Sequence, residues 1–313
     1  MAGRIDTHHH VVPPSYVDWL ARLGVGAGAG VPFPRWSREE TLEIIDRRGI
    51  ETAIVSLSTP GVHFGDAAEA RKRAREINEL SAGLVRSAPA RFGFFAFLPL
   101  PDVDGTLAEI EYAFDTLKAD GAGFMTSYGD QWPGDEAFLP VLAELNRRNA
   151  NVFVHPLAPN CCAGLVPNVG DAVVEYPYDT GRAVLSLLFN GRLVAYRDIN
   201  WIFCHAGGPV PMLAGRIEGS AQRTKERERF APQGVAHEFR RLHYETANSA
   251  YAPTLAALQA FVPRSQILFG TDFPYIAVAD NVERLGNLAL PADDLAAIEK
   301  GNAARLFPRV QSR

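Results

Sequence analysis

Short apolar runs recur along the chain, and the stretches between them repeat their apolar residues every three to four positions. The short runs are Arg4–Thr7, Ala53–Ser58, Phe92–Leu98, Gly121–Tyr128, Asn151–Pro156, Trp201–His205, His243–Thr246 and Ile267–Thr271. Each has strand length, and the third, FGFFAFL, is apolar on both faces, as a buried parallel strand requires. Helical periodicity fills the gaps. Ser37 caps a helix over Arg38–Arg48 that Gly49 ends, and a charged helix runs from Asp66 to about Arg86. Leu107, Ile110, Phe114 and Leu117 mark one face of a helix over Thr106–Ala119. Further helices are predicted at Glu136–Arg148, Asp179–Tyr196, Pro209 to about Arg229, a short segment ending near Arg241, and Pro253–Phe261; two more close the chain. Two stretches lack either period. Gly24–Pro34 is rich in glycine and proline and reads as a loop inserted after the first strand. Leu157–Tyr178 reads as a long loop after the fifth strand, of a length that usually serves as a functional lid.

Eight strand signals alternating with helices predict a parallel sheet covered by helices. Closed on itself, such a series is a (β/α)8 TIM barrel, expected here as a single domain over residues 1–313. An open doubly wound sheet is the alternative, but no glycine-rich phosphate fingerprint follows the first strand; the run Gly26–Gly30 lies within the inserted loop. A length of 313 residues suits one such barrel.

Charge narrows the partners. The chain has 31 Lys+Arg against 36 Asp+Glu, a net charge of −5, and no basic stripe, which argues against nucleic acid. No apolar run approaches the ~20 residues that span a bilayer, and no signal-peptide core is evident at the start. Three cysteines, Cys161, Cys162 and Cys204, point to a reducing compartment, so a cytoplasmic location is expected.

Candidate chemistry gathers at the C-terminal strand ends, where such barrels build their active sites. In Asp6-Thr7-His8-His9-His10, alternation puts His8 and His10 on one face with Asp6 below them and His9 on the other. Strand five ends in His155, strand six in His205 and strand eight in Asp272. Several imidazoles and one carboxylate at one end of a barrel suit a single divalent ion with an open coordination position, zinc first and manganese second.

The motifs Asp6-Thr7-His8-His9-His10, Phe153-Val154-His155-Pro156, His205-Ala206-Gly207-Gly208 and Gly270-Thr271-Asp272-Phe273-Pro274, in this order, resemble the amidohydrolase superfamily. The branch is similar to the aminocarboxymuconate-semialdehyde decarboxylases. Trp36-Ser37, Ala53-Ile54-Val55-Ser56, Arg91-Phe92-Gly93-Phe94-Phe95 and Thr126-Ser127-Tyr128-Gly129-Asp130 resemble the 6-methylsalicylate decarboxylase type within it. The resemblance implies that His8, His10, His155 and Asp272 are metal ligands and that His205 is the acid/base beside the metal. It implies that Arg216 reaches across a subunit interface to hold a substrate carboxylate. The chain also departs from the branch. The second carboxylate-binding arginine has no match beyond Arg35, and Gly208 stands where resorcylate-type decarboxylases carry a glutamate. Met125, Thr126 and Ser127 occupy the strand-four end that a bridging lysine would need, which implies one metal rather than two.

The expected function is therefore a metal-dependent nonoxidative decarboxylase of a salicylate-like or related unsaturated acid. His205 or Asp272 would move the proton, and Tyr128, Trp132, Phe273 and Tyr275 are candidates to line an aromatic pocket. A metal-dependent hydrolase of a lactone, ester or amide is the alternative on the same ligands, and a non-catalytic metal-storage barrel is a third. A homo-oligomer, dimer or dimer of dimers, is expected.

Overall fold

The computed structural model describes residues 3–28 and 30–311; residues 1, 2, 29, 312 and 313 of the expected domain and inserted loop lie outside the described residues. The eight predicted strands form one parallel sheet in chain order. We number them β1 (Arg4–Val11), β2 (Ile50–Leu57), β3 (Phe92–Phe97), β4 (Gly121–Met125), β5 (Asn151–His155), β6 (Asn200–Phe203), β7 (His243–Glu245) and β8 (Ile267–Leu268). The sheet closes where the Thr7 amide donates to the Phe269 carbonyl (3.0 Å) and the His10 amide to the Phe273 carbonyl (2.7 Å). This is the (β/α)8 barrel that the alternation predicts.

Inside the barrel, Ile5, Ile54, Phe95, Phe153, Ile202 and Leu268 pack together, and Ala303, Phe307 and Val310 from the C-terminal segment plug the floor. The Phe95 and Phe153 rings stack at 5.0 Å. The larger core lies between the strands and the outer helices. The predicted caps form: Ser37 Oγ accepts from the Glu40 amide, and Asp66 Oδ1 from the Glu69 amide.

Several boundaries differ for physical reasons. Pro14–Arg22 is a helix that the periodic reading passed over, because Pro13-Pro14 looks like a breaker; Pro14 instead occupies the first turn, where no amide partner is lost. Its buried Tyr16, Trp19 and Leu20 sit at helical spacing. The Gly24–Pro34 insertion is not wholly irregular, since Ala27–Gly28 pairs antiparallel with Val31–Pro32. The helix expected over Thr106–Ala119 spans Val103–Glu111 and widens into a π-turn at Tyr112–Thr116. The expected Asp179–Tyr196 helix begins earlier, at Glu175, and breaks at Gly191 into Glu175–Phe189 and Arg192–Ala195. The segment between β5 and Glu175 has no regular helix or strand, as its composition implies.

Candidate metal and proton-transfer site

β1 runs longer than expected and carries all three histidines of its motif, each fully buried. Its pairing with β2 slips between Asp6 and His9. This bulge breaks strict alternation, so Asp6 does not sit below His8 and His10 as period-two reading expects. Asp6 turns to the side of His9, accepting from its Nδ1 at 2.9 Å and from Thr271 Oγ1 at 2.6 Å. It thereby ties β1 to the loop after β8.

That tie brings Asp272 to the histidines. Its amide donates to the His8 carbonyl (2.7 Å), and its φ of 61° aims the carboxylate inward. Asp272 Oδ1 lies 3.3 Å from His8 Nε2 and 3.2 Å from His10 Nε2, which are 2.8 Å from each other. The His155 ring stands 5.3 Å and 4.7 Å from the His8 and His10 rings, and its buried Nδ1 has no partner among the described residues. One donor atom from each of His8, His10, His155 and Asp272 falls within 4.8 Å of the others. Donors spaced in this way fit around one ion with bonds of about 2.1 Å. Hard carboxylate with borderline imidazole suits zinc or manganese.

Electrostatics agree with a cation site. Burial works against a charged His8 ring, but Cys204, Glu245 and Asp272 outweigh it and raise the His8 pKa well above the usual value. Burial, then His8, lowers His10 to about 4 despite the hydrogen bond to Asp272. Burial also drives His155 well below its usual value, reinforced by His10 and His8. Asp272 is pushed up by burial, yet His8 and the hydrogen bonds from both rings hold it well below the carboxylate range.

A residue that sequence reasoning missed organises this half of the barrel. Glu245, fully buried at the end of β7, accepts from His8 Nδ1 at 2.9 Å, from the His205 amide at 2.5 Å and from the Ala247 amide at 2.5 Å. A carboxylate behind an imidazole fixes its tautomer and leaves the opposite nitrogen for a metal. Gly270 makes room for it: a Cβ there would collide with Glu245 Oε2 and stand 2.8 Å from His8 Cβ. The available signal was a lone acid at the strand end that also carries the histidines.

His205 follows β6 with φ of 53°. Its Nδ1 donates to the Ala247 carbonyl at 2.8 Å, which leaves Nε2 as the free ring nitrogen, and its ring lies 5.1 Å from His8. Gly208, the departure from the resorcylate pattern, has φ of 59°, and a Cβ would collide with the Pro177 backbone. The first turn of the helix Glu175–Phe189 therefore occupies the space a side chain there would need.

A cavity of about 510 Å³ is lined by His155, His205 and Asp272, with Ser58, Thr59, Tyr176, Asn248 and Tyr275. Burial pushes the Tyr176 and Tyr275 hydroxyls upward, so both are neutral donors. Tyr128 lines a neighbouring cavity, its oxygen accepting from the Met125 amide at 2.8 Å. Trp132 and Phe273 line neither cavity: Trp132 Nε1 donates to Asp179 Oδ1 (2.8 Å), and Phe273 packs on His9 with centroids 4.8 Å apart. Arg216 is exposed on the helix Val210–Gln222 and lies outside both cavities. Neither cavity has Lys or Arg among its described lining residues.

Comparison with known proteins adds the following. The amidohydrolase family profile matches residues 5–309. The 6-methylsalicylic acid decarboxylase acuB of Aspergillus aculeatus is 38% identical, covering 98% of this chain and 97% of its own. The 6-methylsalicylic acid decarboxylase of Penicillium expansum is 35% identical over 99% of this chain and 97% of its own. A solved amidohydrolase II structure superposes with a TM-score of 0.90 at 27% identity, covering 98% of this chain and 100% of that one. No helix among the described residues is long and apolar enough to cross a membrane.

Proposed function

The chain belongs to the amidohydrolase family, and from that premise we propose that it is a metal-dependent, nonoxidative decarboxylase of a salicylate-like aromatic acid. The observation that carries this reading is the meeting of His8, His10, His155 and Asp272 beside the free Nε2 of His205, in a chain 38% identical over its length to a 6-methylsalicylic acid decarboxylase. Held by the four ligands, one divalent ion, zinc first and manganese second, would supply Lewis-acid charge for the carboxylate and the adjacent hydroxyl.

The chain's own residues do the rest. As the imidazolium, with Nδ1–H held on the Ala247 carbonyl, His205 delivers the Nε2 proton to the ring carbon that bears the carboxylate, and a proton from solvent restores it for the next turnover. The carbon–carbon bond then breaks, its electron pair restores the aromatic ring, and CO2 leaves. Asp272, beside both His8 and His10, is the second group able to move a proton during the cycle. Neutral Tyr176 and Tyr275 offer hydroxyl donors to the substrate's oxygens. The Glu245 carboxylate keeps His8 and the His205 backbone in register.

A carboxylate substrate also wants a guanidinium, which grips carboxylates in a bidentate fork. The cavity's own described lining offers none, and this supports a homodimer in which Arg216 completes the site of the other subunit. We take residues 1–313 as one barrel domain working in the cytoplasm.

The test is CO2 release from a panel of hydroxybenzoates by protein loaded with zinc or manganese. Salicylate-type acids should be turned over and lactones, esters and amides left intact; hydrolysis without CO2 would sink the proposal.

A further inference from the structure

The floor of the barrel carries its own concentration of charge. Segments within residues 193–199, 238–242 and 263–266 lead into β6, β7 and β8, and they line a cavity of about 350 Å³ at the N-terminal strand ends. His205, Glu245 and Asp272 lie beyond the other ends of the same strands.

Three guanidinium groups, Arg197, Arg240 and Arg241, line this cavity against one carboxylate, Glu238, an excess of two positive charges. His243 also lines it, but burial lowers its pKa to about 4, so at neutral pH it adds no charge. Glu238 is fully buried and already matched: Arg197 Nη2 donates to Oε1 at 3.2 Å and Arg241 Nη1 to Oε2 at 3.4 Å. Arg241 Nη2 donates to the Arg197 carbonyl at 2.7 Å, which fixes the pair. The exposed Arg240 guanidinium has no hydrogen bond or ion pair among the described residues. Trp201 lines the same cavity at 2% exposure, and its buried Nε1 has no partner among the described residues. An indole N–H can only donate, and leaving it buried and unmet is costly. A cation cannot use that donor, whereas an oxygen acceptor can. The surplus of guanidinium charge makes the acceptor an anion, because planar N–H forks match the oxygens of phosphate and carboxylate.

We propose that this floor cavity binds a small dianionic oxyanion, a phosphate or a dicarboxylate, at a site separate from the metal-binding quartet. Arg240 and the Trp201 Nε1–H supply donors that the protein itself does not use, and Arg197 adds the second charge. The ligand ties together the three segments that lead into β6, β7 and β8, so binding stabilises the folded chain. The site stands independently of the decarboxylase reading.

The experiment titrates the metal-loaded protein calorimetrically with inorganic phosphate and, separately, with succinate, at neutral pH and fixed ionic strength, and follows melting in parallel. One ion should bind per chain, with a Tm that climbs with its concentration and a change in tryptophan fluorescence. Arg240→Gln should weaken binding about tenfold or more, the effect of removing one charge-assisted contact. Trp201→Phe should weaken it too and abolish the fluorescence change. Arg240→Gln breaks no bond within the chain, so it carries the test if Trp201→Phe folds poorly. Binding of phosphate alone assigns the tetrahedral ion, and binding of succinate alone the dicarboxylate. Binding of neither, or binding that Arg240→Gln leaves unchanged, overturns the site.

Discussion

His205 sits in left-handed backbone, where a side chain costs of order 1–3 kcal/mol and glycine costs little. The chain keeps histidine there in spite of that cost. Two expectations follow for this residue. His205→Ala should lower kcat roughly 100- to 10,000-fold, while elemental analysis still finds one ion per chain, because no ligand is lost. His205→Gly should be equally inactive yet melt higher than His205→Ala, since it relieves the backbone. Metal loss in His205→Ala would instead make His205 a ligand. By contrast, His155→Ala should strip the metal along with activity. His205 and its role could be proposed from a resemblance in the sequence. Its φ could not, because that angle is imposed by Glu245 taking its amide and Ala247 taking its ring.

Among elements, β7 is short but decisive. Its terminal Glu245 couples the His8 ring to the turn that presents His205, and Gly270 beyond β8 leaves the space for it. Glu245→Gln, which keeps the shape but loses the charge, should weaken metal affinity by about 10- to 100-fold, measured by competition with a chelator. Gly270→Ala should do the same and also lower the melting temperature, because its Cβ has nowhere to go. Unchanged affinity in both would remove Glu245 from the metal's support. The eight strands were legible because apolar runs and helical periods alternate cleanly. The β1 bulge was not, because register is set by pairing with β2 and by Asp6 reaching Thr271, the latter a contact 265 positions apart in sequence. For the same reason period-two reading placed Asp6 under the wrong histidines. Of the four aromatic residues expected to line a pocket, Tyr275 lines the cavity beside the ligands and Tyr128 its neighbour, whereas Trp132 and Phe273 line neither, because their places are set by Asp179 and His9, partners that sequence distance does not reveal.

For the whole molecule, a cavity without Lys or Arg among its described lining residues makes assembly a matter of chemistry. Mixing His205→Ala with Arg216→Ala chains should restore up to one working site per mixed dimer from two dead parents, read as CO2 release after subunit exchange. Exchange without recovery would confine Arg216 to its own chain or remove it from the site. The order of the ligands along the chain has a further consequence. His8 and His10 are made well before Asp272, which comes 262 positions after His10, and the segment that plugs the barrel floor comes later still. On the ribosome, the imidazoles of His8 and His10 therefore precede the carboxylate that completes their set by more than 260 residues. On the proposed metal site, a chain halted before Asp272 would lack the fourth ligand, so the ion is expected to be held only once β8 and the loop after it have been made.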